Sequence, residues 1–305
     1  MKDGGNKIQD SYDQTSIRNG VLYIVPTPIG NLEDITLRAL KILRAVELIA
    51  AENIRHTKGL CGHYGIKTRL TSYNQHNHKQ KGPILIRRLK SGTHVALVTN
   101  AGTPAISDPG SMLADMALDE GITVSPIPGP SAVTAALSAS GMQGDRFLFL
   151  GFLSNKAGKR KKELEMISHE PRTMVFYEAP HRILDMLKDL KTVLGNRRIV
   201  LFRELSKLYE EVKRAPVDLL LEELQKHDIR GEFTLVVEGE KNHPKGKGLQ
   251  SELYAEIERM LKKGDPGIRD LATLLSKEKG LSYRTAYREC LAVKRNLRHE
   301  INGFE

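Results

Sequence analysis

Val21-Leu22-Tyr23-Ile24-Val25-Pro26-Thr27-Pro28-Ile29-Gly30-Asn31-Leu32 opens on five apolar residues and passes directly into a loop of Pro, Thr, Gly and Asn. A short apolar run bounded by turn residues reads as a buried strand. Beyond it, Asp34 has the character of a helix N-cap, and Leu37, Leu40, Leu43 and Val46 recur at helical spacing. The same alternation continues with strands at 48–51 and 94–98, a helix over 112–119 and a strand at 122–124. Strands that alternate with helices predict βαβ units and a mostly parallel sheet.

Working outward, the pattern changes near Gly141, where strands at 147–152, 173–177, 199–202 and 233–237 are interrupted by basic stretches. Helices are expected between them, one ending near Pro171 and others over 181–194 and 217–226. The chain is therefore α/β, with a polar tail over 1–20, one α/β domain over 21–142 and a second over 143–240. Residues 242–248 are rich in Lys, Gly and Pro and read as a linker within a basic helical extension over 241–305. In that extension Leu253, Ile257 and Leu261 form one apolar stripe and Leu271, Leu274 and Leu275 another. Residues 268–293, broken at Gly280-Leu281-Ser282, have the outline of two helices joined by a tight turn. That outline suits a nucleic-acid-binding module or a plain helical appendage.

The chain has 305 residues and a net charge of +10, from 47 Lys and Arg against 37 Asp and Glu. Its apolar runs are far shorter than the ~20 residues that span a bilayer, and its first residues are polar, so a cytoplasmic protein is expected. Cys61 and Cys290 exclude a disulfide framework or a cysteine-rich zinc site. The positive charge is concentrated. No Asp or Glu occurs between Asn53 and Ser107, a window that holds Arg55, Lys58, Lys67, Arg69, Lys79, Lys81, Arg87, Arg88 and Lys90. A second cluster comprises Lys156, Lys159, Arg160, Lys161 and Lys162, and a third lies between Lys277 and Arg298. One such cluster is ordinarily a solvated face; three point to a polyanionic partner, most simply nucleic acid.

Four loops of small and turn-forming residues follow expected strands: 27–32, 99–104, 108–110 and 128–132. In open α/β sheets the ligand crevice lies beyond the carboxyl ends of the strands, where Gly and Ala let backbone approach a ligand. Neither the Gly-x-Gly-x-x-Gly nor the Gly-x-x-x-x-Gly-Lys-Ser/Thr signature is present, which disfavours the usual dinucleotide and nucleoside triphosphate sites. His76-Asn77-His78 has no carboxylate neighbour and reads as structural or RNA-contacting rather than as a metal pair; Cys61 beside His63 lacks an orienting acid. No metal is expected. Further on, Phe176-Tyr177-Glu178-Ala179-Pro180-His181-Arg182 and Arg203-Glu204-Leu205-Ser206-Lys207 each set a carboxylate just past a strand beside fixed positive charge. Glu178 or Glu204 suits a general base, with Arg203 or Lys207 stabilising developing negative charge. The alternative is a set of internal ion pairs locking the two turns.

The segments 22–32, Ala50-Ala51-Glu52-Asn53-Ile54-Arg55-His56-Thr57, Ala101-Gly102-Thr103-Pro104, Ser107-Asp108-Pro109-Gly110 and 176–182 closely resemble the ribosomal-RNA ribose methyltransferases of the tetrapyrrole-methylase fold family. The resemblance spans about residues 21–240 and continues loosely into the helical extension. The resemblance implies methyl transfer from S-adenosylmethionine to the ribose 2′-hydroxyl of a cytidine in 16S ribosomal RNA. It further implies two α/β domains with the cofactor cleft between them, and a homodimer acting on RNA or the small subunit. Carried over position by position, cofactor contacts fall on Pro28, Asn100, Ala101, Gly102, Ser131 and Ala132, with Phe176 covering the adenosine. Arg55 and His56 join the Lys156–Lys162 cluster as RNA contacts. The chain departs from the pattern at Asn100, where the family has Asp, and at Asn53-Ile54, where it has Asp-Thr. Two rivals remain: a methyltransferase of the same fold acting on a tetrapyrrole precursor, and a non-catalytic RNA-binding protein.

Overall fold

The computed structural model describes residues 19–226, 228–240, 247–262, 267–279, 283, 286–291 and 293–294. The chain divides into two compact units, Met1–Glu240 and Lys241–Glu305.

The first half of the larger unit is a sheet in the order β3-β2-β4-β1-β5, built from β1 (Leu22–Ile24), β2 (Leu48–Ala51), β3 (Arg69–Ser72), β4 (Val95–Val98) and β5 (Val124–Pro126). All its pairings are parallel. Parallel strands buried on both faces read as continuous apolar runs, and β2 and β4 are buried at every position. Side-chain alternation sends Ile49 and Ala51 to one face, packed with Ala39 and Leu43, and Leu48 and Ala50 to the other, packed with Leu85, Leu89 and Leu113. The helices α1 (Leu37–Ala45), α2 (Ile54–His63), α3 (His78–Lys90), α4 (Ser111–Asp119) and α5 (Ala132–Ala139) complete this half.

The second sheet is mixed, ordered β6-β7-β10-β8-β9: β6 (Phe147–Gly151), β7 (Thr173–Glu178), β8 (Arg198–Arg203), β9 (Glu211–Pro216) and β10 (Phe233–Val237). Only β6 and β7 run parallel; β10 is antiparallel to both β7 and β8. One face packs Met174, Phe176, Leu201 and Leu235 against Leu164 of α6 (Ala157–Glu165), Leu187 of α7 (Ile183–Leu194) and Leu220 of α8 (Val217–Leu224). The other packs Val175, Val200, Phe202 and Val236 against Val133, Ala136 and Leu137 of α5. A helix of the first half thus covers the sheet of the second and binds the halves into one unit.

Several local expectations need correction. Thr36, not Asp34, caps α1, its side chain accepting from Ala39 N. Leu37 is 85% exposed, so the buried stripe of α1 rests on Ala39 and Leu43. The strand expected at 122–124 lies at Val124–Pro126. In the expected linker, residues 242–246 lie outside the described residues, while Lys247 and Gly248 already belong to α9 (Lys247–Lys262). In the smaller unit, Ile257 of α9 and Leu271, Ala272 and Leu275 of α10 (Ile268–Lys279) share a core with Ala286, Cys290 and Val293. The break at Gly280-Leu281-Ser282 and the polar tail 1–18 lie outside the described residues. Among the described residues no helix is long and apolar enough to cross a membrane.

Candidate active site

A cavity of about 460 Å³ opens between the carboxyl ends of the first sheet and the adjoining end of the second. From the first half come Ile29, Glu52 just past β2, Asn100 to Thr103 past β4, Ile106 to Asp108, and Ser131-Ala132 at the start of α5. From the second come Phe152, Tyr177 and Glu178 at the end of β7, Ala179 to His181 just past it, Leu205, and Glu232 to Thr234 at the start of β10. The antiparallel setting of β10 explains the last group: Phe233 pairs with both Glu178 and Arg203, so the start of β10 meets the ends of β7 and β8.

Electrostatically the cavity is one-sided. Its lining carries four carboxylates, Glu52, Asp108, Glu178 and Glu232, with His181 and no Lys or Arg. Burial, reinforced by the charge of Glu52, pushes the Asp108 carboxyl up to about 6. Glu52 is held by the backbone N–H of Asn100, which donates to its Oε2 at 3.0 Å. The Asn100 Oδ1 atom is buried without a protein partner. Asn53 serves as N-cap of α2, accepting from Arg55 N and His56 N as an aspartate would.

Glu178 ends β7 with its side chain fully buried. Its Oε1 accepts from Ala179 N at 2.8 Å and lies 3.1 Å from Arg182 Nε, off hydrogen-bonding alignment, while its Oε2 is buried with no partner. Burial pushes the Glu178 carboxyl up, outweighing the lowering by the Ala179 N–H and by Arg182, Arg160 and His181. Desolvation outweighs the neighbouring cations, and the carboxylate is more basic than usual.

Of the expected cofactor residues, Asn100, Ala101, Gly102, Ser131 and Ala132 line the cavity. Gly102 sits at φ +72°, a conformation an L side chain rarely adopts, and exchanges two backbone hydrogen bonds of 2.9 Å with Thr27. Pro28 lines a neighbouring depression with Arg55, His56 and Asn100. Phe176 is a correction: it is fully buried in the core facing α6 to α8. The next residue along the strand, Tyr177, points the opposite way and lines the cavity, its phenol pushed up to about 12, chiefly by burial, although the Val133 N–H bonds to it.

The turn after β8 is also corrected. Glu204 and Lys207 do not line the cavity. Lys207 Nζ lies 2.9 Å from Glu204 Oε1 and 3.0 Å from Glu232 Oε2, and Glu204 Oε1 also accepts from Glu232 N. Burial pushes Glu204 up, but the bonds from Lys207 and Glu232 N and the charges of Lys207 and Arg203 outweigh it and hold the carboxyl below its usual value. Arg203 faces a different depression, donating to Arg230 O at 2.7 Å with Glu211 nearby. The turn is bonded to the first half: Ser206 Oγ donates to Asp34 Oδ2, and Gly30 has its α-carbon against Leu205 O and Lys207.

Among the basic residues, Arg55, His56, Lys156, Lys159, Lys161 and Lys162 are exposed. Arg160 is the exception, 4% exposed and ion-paired to buried Asp189 at 2.7 Å. Its i+4 relation to Leu164 sets it on the inner face of α6. The His76-Asn77-His78 segment is a turn closed by Asn74 and Asn77, in which His78 Nδ1 lies 2.7 Å from Gln75 O. Among the described residues no cluster of three or more His, Cys, Asp or Glu is placed to hold a metal. Of the residues that sequence reasoning missed, Glu52, Asp108 and Tyr177 lie within the quoted motifs and Glu232 outside them; strand alternation along β7 was the available signal for Tyr177.

A parallel sheet and a mixed sheet enclose an acidic cavity at their shared end, the form of a ligand-binding α/β enzyme. The chain belongs to the tetrapyrrole (corrin/porphyrin) methylases, whose family model matches residues 21–220. Within that family it is 51% identical to ribosomal RNA small subunit methyltransferase I of Escherichia coli O157:H7, over 73% of this chain and 79% of that protein. The protein of the same name from Pseudomonas aeruginosa is 42% identical over 89% of this chain and 97% of its own length. The fold is shared with uroporphyrin-III C-methyltransferase of Thermus thermophilus, solved with S-adenosyl homocysteine, at a TM-score of 0.53 and 19% identity, over 72% of this chain and 97% of that one.

Proposed function

We propose that the chain transfers a methyl group from S-adenosylmethionine to the ribose 2′-hydroxyl of a cytidine in 16S ribosomal RNA. The observation that carries this reading is the segregation of charge. The cavity is lined by carboxylates without Lys or Arg, whereas Arg55, Lys156, Lys159, Lys161 and Lys162 are exposed outside it. An acidic cavity suits a cationic cofactor and an uncharged ribose but repels phosphates, which the outer cations attract. A tetrapyrrole precursor, itself rich in carboxylates, gains nothing from four more.

The residues present fit the cofactor: Glu52 and Asp108 would offset its positive charge, and the unpaired Asn100 Oδ1 would accept a hydrogen bond from it. When bound, it supplies an electrophilic methyl group. Ala101, Gly102, Ser131 and Ala132 bring backbone close enough to hold it. Glu178 Oε2, buried, unpaired and more basic than usual, takes the proton from the hydroxyl as the new C–O bond forms. In-line positioning does the rest and needs no metal. The resemblance also carries a homodimer in the cytoplasm.

The test is transfer of labelled methyl to purified small subunits, naked 16S RNA and a tetrapyrrole precursor, with the modified nucleotide mapped. Label on a cytidine ribose supports the reading; label only on the tetrapyrrole, or none, overturns it. Sedimentation at micromolar concentration checks the dimer.

A further inference from the structure

We propose that Phe152 is the platform on which the base of the methylated nucleotide stacks, an inference that rests on the RNA reading above. Phe152 lines the cavity yet is 54% exposed, an aromatic face left to solvent at the mouth of an acidic site. Its ring is held from behind. Tyr177 lies 5.6 Å away at 57°, and Tyr177 in turn meets Phe149 edge-on at 5.1 Å. The backbone is held on both sides. Before it, Gly151 is left-handed at φ +60°, and a β-carbon there would stand 2.5 Å from Ser107 Oγ. After it, Arg182 donates to Leu153 O at 2.6 Å, and Ser154 N donates to Glu163 Oε2 at 2.8 Å.

Gly151 closely approaches Ser107, so the loops that carry Phe152 and Ile106 adjoin, and Ile106 also lines the cavity and is 43% exposed. Two exposed apolar side chains on adjoining loops form a rim suited to a flat, uncharged group. The cofactor's adenine and a nucleobase are both flat. Charge decides for the nucleobase: Lys156, the N-cap of α6 four residues beyond Phe152, and Lys159 and Lys162 on that helix are exposed to solvent. A polyanionic chain therefore arrives on the Phe152 side. Its target base is unstacked from the RNA and restacked on the ring, which leaves the ribose facing Glu178.

The test pairs a protein change with an RNA change. Single-turnover methyl transfer and RNA affinity are measured for wild type, Phe152→Ala and Phe152→Tyr, on an RNA carrying the mapped nucleotide and on the same RNA lacking only that base. Stacking predicts that Phe152→Ala loses about 10- to 100-fold on intact RNA, that base removal costs wild type the same, and that the two losses together cost no more than either. Phe152→Tyr keeps the wild-type rate, and cofactor affinity by calorimetry is unchanged throughout. Losses that multiply overturn the proposal. So does a cofactor affinity that falls with the rate, which assigns the ring to the adenine, or an altered oligomeric state, which assigns it to a second copy. Each of these leaves wild-type RNA methylation in place; only a wild type inactive on RNA strikes the underlying reading.

Discussion

At the scale of single residues, the cavity acids answer to pH in ways that separate their roles. Asp108 stands at about 6 in the folded chain against 3.8 for a free side chain. The folded state therefore holds this proton more tightly, and stability is lost as pH rises from about 4 to about 6. Asp108→Asn should raise the melting temperature at pH 7.5, by the equivalent of about 1–2 kcal/mol after allowance for partial exposure, and give no gain at pH 4. The same variant should weaken cofactor binding at pH 7.5, and wild-type affinity should grow as pH climbs through 6; calorimetry across pH 5–8 measures both. Glu178→Gln is expected to differ. Single-turnover methyl transfer should fall by about 10²–10⁴-fold with cofactor affinity nearly unchanged. A rate within a few-fold of wild type would assign proton removal elsewhere.

At the scale of elements, α6 illustrates how one helix serves two purposes. Its outer Lys side chains are exposed to solvent, Lys159 within 3.9 Å of Glu163 and Lys161 within 3.6 Å of Asp189, while Arg160 reaches inward to Asp189 of α7. Arg160→Ala leaves the largely buried Asp189 carboxylate with only Lys161, 3.6 Å away and partly exposed, and should cost about 3 kcal/mol in a denaturant melt. Changing Lys159 and Lys162 to Ala should leave the melt alone and flatten the dependence of RNA affinity on salt by about two contacts. The four-residue spacing of Arg160 and Leu164 hinted at this inward face; composition alone concealed it. Elsewhere β2 and β10 were legible to the residue, because fully buried apolar strands announce themselves. By contrast α2, β3, α3 and β9 were not. Helix α2 carries Gly59 and Gly62, and α3 encloses Pro83, all of which lower helix propensity yet are tolerated in packed helices. Strand β9 lies at the sheet edge and alternates charge, with Lys213 reaching Glu211 and Glu223. The cavity-lining loops were visible because small residues cluster at strand ends; the acidic lining was not, since it is assembled from four separate elements.

At the scale of the whole molecule, the turn after β8 holds the two halves at a fixed separation. Gly30 has no room for a side chain against Leu205 O, where an added β-carbon would lie at 2.9 Å. Gly30→Val should therefore lower the melting temperature and cofactor affinity together. Lys207→Met removes two partly exposed ion pairs, to Glu204 and Glu232, and should cost only about 1–2 kcal/mol, with the single-turnover rate at saturating cofactor unchanged; a large rate loss would return this lysine to the chemistry. The contact between Asp34 and Ser206 spans 172 positions of sequence, which has a kinetic meaning. Closing so long a loop is slow, and it must precede any assembled pocket. Ligand competence should then arrive last in refolding, lagging the return of helical circular dichroism, and a nascent chain emerging from its own ribosome stays unable to engage cofactor until β10 has been synthesised.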